Sequence, residues 1–295
     1  MGPVREETLK GAVQGTLVEP TSFDGLGVVV LHGSSGRPDL ERARLFASHG
    51  ALGLALRWFG GEGQVPGICE VPLETFFAAV DFTGRRCDRI VLVGTSKGAE
   101  AALLTAIHDN RLQAVVGLSP SSVVWANTGP GRDGEAWPQR SSWTVGGAPL
   151  PFVAYDPYWR PVRRDGLTAY RSFHEQSLRR FAAEAIDAAI PVERIQGEVL
   201  LVAGGDDALW PSDWFARALV GRRAEASKAT RLVVHPEAGH RTLLPGETKP
   251  RSSLHAHGGS DEADAALGST AWAEIADLLA LRTVEASPSR GINRL

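Results

Sequence analysis

Six short apolar runs punctuate the chain: LGVVVLHG (26–33), ALGLALRW (51–58), RIVLVG (89–94), AVVGLS (114–119), EVLLVAG (198–204) and RLVVHP (231–236). None alternates apolar with polar positions. Each therefore suits a strand buried on both faces of a parallel sheet rather than one with a wet face. Between the runs the apolar positions fall at helical spacing, which predicts helices over 40–48, 73–81, 97–108, 212–219 and 271–281. This alternation predicts a doubly wound α/β fold, a mostly parallel central sheet with flanking helices. No internal repeat is visible, and residues 284–295, ending ASPSRGINRL, are expected to form a flexible tail.

One segment breaks the rhythm. From 121 to about 190 the chain carries Pro and Gly clusters (NTGPGRDGEAWPQRSSW) and no clear strand, and it is too long for a simple connection. Aromatic residues crowd it, among them Trp125, Trp137, Trp143, Tyr155, Tyr158 and Trp159. The cluster suits a lid or pocket wall over an apolar substrate, although any one member equally suits a loop pinned down by its own aromatics. Trp125, Tyr155 and Trp159, with Trp210 further on, are the expected substrate-contacting side chains.

With 295 residues and 43% hydrophobic content, the chain is long enough for one full core, so a single domain with an inserted lid is expected. Its net charge of −3 mixes both signs without a basic run, which excludes the electrostatic footprint of nucleic-acid binding. No stretch approaches the ~18 consecutive apolar residues of a membrane-spanning helix. Two cysteines, Cys69 and Cys87, and no signal-peptide pattern lead to the expectation of a reduced, cytoplasmic protein.

The chemistry concentrates at RIVLVGTSKGAEAALLTA (89–106). A buried strand that turns at once into a helix has no room for side chains at the bend, and here glycines flank a single serine. Gly94-Thr95-Ser96-Lys97-Gly98 fits the nucleophile elbow G-x-S-x-G, with the strand before it and the helix after it that the motif requires. A serine hydroxyl needs a base held by a carboxylate, expected downstream in the order Ser, Asp, His. Asp207 follows an apolar strand in LLVAGGDDALWPS and His240 follows the next in LVVHPEAGHR. Asp206 competes with Asp207, and a helix-capping role is the plain alternative for either. An oxyanion hole is expected from the backbone N–H groups of Lys97 and Ser34, with Ser35 as the alternative to Ser34. The Lys97 side chain, one helical turn from Glu100, is expected in a salt bridge rather than in catalysis.

Other candidates carry less. His255 and His257 in LHAHGG lack a carboxylate or cysteine at short spacing to complete a metal set, so neither metal nor cofactor is expected. Arg160, Arg163 and Arg164 in WRPVRRDG suit the phosphates of a coenzyme A carrier, with a solvated basic loop as the stronger alternative.

The blocks LHGSSG, FASHGALGLALRWFGGEG, VPLETFFAAVDF, GTSKGAEAAL, SPSSVVW, IPVERIQGEVLLVAGGDDALWPS, EAGH and GGSDEADA resemble, in order, one known catalytic domain. It is shared by acyl-CoA thioesterases and bile acid-CoA:amino acid N-acyltransferases, a branch of the α/β hydrolases near the dienelactone hydrolases. The resemblance covers about 25–281 and implies the α/β-hydrolase fold. Thioesterases of that family use a serine nucleophile and the amino acid transferases a cysteine, so Ser96 implies hydrolysis of an acyl thioester. The resemblance also places the triad on Ser96, Asp207 and His240. Animal members carry an N-terminal β-sandwich domain, whereas about 25 residues precede the first matching strand here, and a stand-alone catalytic domain is expected. That departure leaves the carrier open between coenzyme A, a carrier protein and a simple ester. An acyltransferase or ester-cleaving tailoring enzyme with the same triad is the nearest alternative, and a binding protein on the same fold is the rival of another class.

Overall fold

The computed structural model describes residues 4–282, so the tail expected at 284–295 lies outside the described residues. The chain begins with two strands that no apolar run marks, β1 (Arg5–Leu9) and β2 (Gln14–Glu19), paired antiparallel. There follow β3 (Leu26–Leu31), α1 (Leu40–Ser48), β4 (Leu52–Arg57), the two-residue β5 (Val71–Pro72), α2 (Glu74–Gly84), β6 (Arg89–Thr95), α3 (Lys97–His108) and β7 (Leu112–Leu118). The irregular segment holds β8 (Trp143–Val145), β9 (Ala148–Pro149), β10 (Val162–Arg164), β11 (Leu167–Ala169), α4 (Arg171–Arg180) and α5 (Ala182–Asp187). A 3-10 turn at Val192–Arg194 leads into β12 (Glu198–Gly204), α6 (Ser212–Glu225), β13 (Arg231–His235) and α7 (Asp261–Leu279).

Eight of these strands form the main sheet, in the order β1-β2-β4-β3-β6-β7-β12-β13. From β4 to β13 every pairing is parallel, and only β1–β2 and β2–β4 are antiparallel. The apolar runs are explained by the two faces. Because successive strand residues point to opposite sides, Val29, Leu31, Leu92 and Leu201 meet α2, α3 and α6. Val28, Val30, Val91 and Val202 meet α1 and α7. Both sides are dry, so no position along these strands favours a polar residue.

The strand order reverses between β3 and β6. In open α/β sheets the crevice for a ligand lies at that reversal, beyond the carboxyl ends of the strands. The residues just past β3, β6, β7, β12 and β13 all gather at this end, and the sequence-predicted chemistry lies among them. Part of the irregular segment packs there too: Val123, Trp125, Val153 and Ala188 form a satellite core with Trp210 and Phe215, which follow β12.

Candidate active site

Ser96 occupies the junction of β6 and α3 with φ 57° and ψ −121°. A non-glycine residue at positive φ is strained, and such strain persists only where the surroundings fix it. The flanking glycines show how. A Cβ on Gly94 would collide with the Gly98 carbonyl, and one on Gly98 would collide with the Leu31 and His32 carbonyls. The bend therefore closes only with glycine at both positions. Ser96 N–H donates to Leu118 O at 2.8 Å, tying the elbow to the end of β7.

The next residue, Ser119, links the elbow to the loop after β13. Its hydroxyl donates to the His240 carbonyl (2.9 Å), its N–H donates to Val202 O (2.7 Å), and its own carbonyl accepts from Trp210 Nε1 (3.2 Å). The His240 ring meets Asp207: Nδ1 lies 2.7 Å from Oδ2, with the Asp207 side chain fully buried. Asp207 Oδ1 accepts from Leu209 N–H at 2.9 Å and Trp210 N–H at 3.3 Å, which fixes the carboxylate from its other side. The neighbouring Asp206 faces elsewhere. Arg164 forks onto it at 2.7 and 2.6 Å and Gly259 N–H donates at 2.9 Å. The guanidinium holds the Asp206 carboxyl below the usual carboxylate range. Of the two aspartates only Asp207 reaches a histidine. Ser96 Oγ donates no hydrogen bond among the described residues; such contacts are often long in free enzymes and tighten when substrate arrives.

The turn after β3 lies against the elbow: a Cβ on Gly33 would sit 3.3 Å from Ser96 Cβ. Ser34 and Ser35 follow in an exposed turn, and Lys97 opens α3. The backbone groups expected as oxyanion donors thus lie on the two segments that touch at Ser96. His32, at the root of the turn, is buried and stacked on Trp58 with ring centres 5.1 Å apart, and burial pushes its pKa down to about 4.

The Lys97 side chain turns away from solvent into a buried network. Its Nζ donates to Glu100 Oε2 (3.1 Å) and Ser142 Oγ (2.8 Å), as the salt-bridge expectation required. Glu100 reaches further than the local sequence signals. Its Oε1 also accepts from Trp125 N–H (3.0 Å) and Trp143 Nε1 (2.7 Å), so one carboxylate on the helix behind the elbow anchors two tryptophans of the irregular segment. Burial raises the pKa of Glu100 and lowers that of Lys97.

From that anchor an aromatic wall runs back to His240. Trp125, fully buried, stacks on Tyr155 (5.7 Å) and meets His174 edge-on (4.7 Å); His174 meets Trp210 (5.6 Å), and Trp210 meets His240 (5.8 Å). Trp159 joins further out, against Tyr170 and Phe173. The sequence pattern singled out Trp125, Tyr155, Trp159 and Trp210 but not His174, which sits among them on α4 with its pKa lowered by burial to about 4. His257 lies beside the triad candidates: its ring is 6.2 Å from that of His240, and its carbonyl accepts His240 N–H at 2.8 Å. His255 packs edge-on against Tyr170. Of the three arginines weighed for phosphates, Arg164 is taken by Asp206, while Arg160 and Arg163 are exposed.

Residues 71–283 match the family described as BAAT / Acyl-CoA thioester hydrolase C terminal. Human acyl-coenzyme A thioesterase 6 is 26% identical over 93% of this chain and 64% of its own length. Mouse acyl-coenzyme A amino acid N-acyltransferase 1 is also 26% identical, over 81% of this chain and 54% of its own. The chain thus spans between half and two thirds of these relatives. Among solved structures, a dienelactone hydrolase-like promiscuous phosphotriesterase from metagenomic libraries superposes with a TM-score of 0.55, at 18% identity over 94% of this chain and 97% of its own. The α/β-hydrolase fold expected from the sequence is the fold observed. Among the described residues no helix is long and apolar enough to cross a membrane.

Proposed function

This chain belongs to the BAAT / acyl-CoA thioester hydrolase family, and from that premise we propose that it is a serine hydrolase that cleaves acyl thioesters through an acyl-enzyme on Ser96. The observation that carries the reading is the buried 2.7 Å contact between Asp207 Oδ2 and His240 Nδ1, at the same end of the sheet as the strained Ser96 elbow. A carboxylate on Nδ1 keeps the proton there and leaves Nε2 as the free base. In the proposed sequence, Nε2 takes the Ser96 proton as Oγ attacks the thioester carbonyl. The oxyanion is held by the N–H groups of Lys97 and Ser34, or of Ser35 in place of Ser34. Collapse of the tetrahedral adduct breaks the C–S bond and His240 returns its proton to the departing sulfur. Water, deprotonated by the same nitrogen, then releases the acid and frees Ser96.

We place 1–295 in one catalytic unit in which 121–190 acts as the lid, with Tyr155 and Trp159 bounding the acyl group and Trp125 and Trp210, both expected from the sequence to touch substrate but buried here, supporting that wall from behind. Both cysteines are free and buried, in keeping with a reducing, cytoplasmic setting. Transfer of the acyl group to an amine is the second reading. It is favoured by the equal identity, 26%, to a relative named as a thioesterase and one named as an N-acyltransferase. Mass spectrometry of the Ser96 peptide after brief exposure to acyl-CoA, with glycine present or absent, tests both. An acyl adduct on Ser96 resolving to free acid supports hydrolysis, and an acyl-glycine product supports transfer. Turnover that survives Ser96→Ala contradicts both.

A further inference from the structure

We infer that Arg42 is a positioning residue that sets the alignment of Ser96 with His240. The inference rests on the reading of Ser96 as nucleophile. Arg42 lies on α1, the helix entered from the Gly33–Ser34 turn, and its side chain is 1% exposed. One guanidinium there contacts two of the segments that meet at the site, the end of β6 and the loop after His240. Nη1 donates to Thr95 Oγ1 at 2.6 Å, on the residue immediately before Ser96. Nη2 donates to the Thr242 carbonyl at 3.1 Å, two residues beyond His240. Nε and Nη2 fork onto Glu247 at 2.8 and 2.9 Å, in the same loop as Thr242. Asp39, at the foot of α1, lies 3.6 Å from Nη1 and binds Lys249 at 2.6 Å, while Lys249 reaches Glu247 at 3.3 Å. Two cations and two carboxylates balance within this cluster.

Stability alone does not explain such an arrangement. Burying ions costs desolvation that their attraction only roughly offsets, and apolar replacements of similar volume are often as stable or more so. A planar fork with donors at fixed angles does something an apolar contact does not: it fixes direction. Here the directions run to the nucleophile's neighbour and to the histidine's loop, which are 147 positions apart in the numbering (95 and 242) and joined at one group. Misplacing reacting groups by about 1 Å costs on the order of 10²-fold in rate, so loosening this tie is expected to slow attack by Ser96 without weakening substrate capture.

The test is the saturation kinetics of Ser96 labelling by a fluorophosphonate, read as a limiting rate and a half-saturation concentration, with a thermal melt for each protein. Thr95→Val removes only the hydroxyl acceptor and is expected to lower the limiting rate about 10-fold with the half-saturation concentration unchanged and, because a buried Arg42 N–H loses its acceptor, a modestly lower melt. Arg42→Lys keeps the charge and loses the fork, and is expected to be about as slow. In Arg42→Ala, millimolar guanidinium is expected to raise the limiting rate several-fold where equal sodium does not. Wild-type limiting rates in both Thr95→Val and Arg42→Lys would overturn the inference, whatever their melts. Wild-type protein that does not label at Ser96 would instead remove the nucleophile reading on which it rests. If Arg42→Ala does not fold, Thr95→Val and Arg42→Lys together decide.

Discussion

Asp207 and His240 meet through a 2.7 Å contact from which solvent is excluded on the carboxylate side, while Asp206, the adjacent residue, is held by Arg164. Two aspartates in sequence thus have unrelated surroundings. Asp207→Asn presents an N–H to Nδ1 and forces the proton onto Nε2, which removes the proposed base; a loss of up to ~10⁴ in kcat is expected. Asp206→Asn weakens a partly exposed pair and is expected to change kcat by less than ~10-fold. Steady-state kinetics of the two variants side by side would reverse the assignment if Asp206→Asn were the more damaging.

The Lys97–Glu100 pair gives a stability prediction. Glu100→Leu strands a buried ammonium and leaves Trp125 N–H and Trp143 Nε1 without an acceptor. Removal of one partner of a buried pair costs ~3–5 kcal/mol, and replacing both partners costs much less. Urea unfolding is therefore expected to show Lys97→Met/Glu100→Leu as more stable than Glu100→Leu alone. A double variant less stable than either single one would mean that the pair is not coupled as described.

Acid sensitivity follows from the buried histidines. His32 titrates near 4 in the folded protein against 6.5 when exposed, because burial disfavours its charged form. Between those values the unfolded chain binds more protons, so stability rises with pH across that window and is level above it. Lowering the pH from 7.5 to 5 is expected to remove about 2 kcal/mol through His32 alone. His32→Phe, which preserves the stack on Trp58, is expected to lose correspondingly less over that range in urea titrations at the two pH values. An equal loss in both proteins would show that His32 does not carry the effect.

Much of this architecture is legible in the chain because the sheet is dry on both sides. The runs at β3, β4, β6, β7 and β12 stand out for that reason, and α1 and α3 match the expected spans, 40–48 and 97–108. β1 is the reverse case: REETL lies at the sheet edge, largely exposed, and has no apolar run to reveal it. The apolar spacing starts α7 at 271, whereas the helix begins at Asp261, where Ser260 Oγ accepts Ala263 N–H. Before 271 it reads DEADAALGST, in which Leu267 is the one large apolar residue, so the hydrophobic contrast is weak. The proposed triad Ser96, Asp207 and His240 is legible in the chain because motif order and strand ends are local signals. Arg42 and Glu247 are 205 residues apart, and Glu100 and Trp143 are 43 apart. No local pattern announces a polar contact made across such separations.

The most direct test of the central claim is free-thiol release from short, medium and long acyl-CoA substrates by wild-type protein and Ser96→Ala, with p-nitrophenyl esters alongside. The account predicts thiol release that falls by at least ~10³-fold in Ser96→Ala, with one chain-length range preferred. Ester cleavage without thiol release, or thiol release that survives the loss of Ser96, would contradict it.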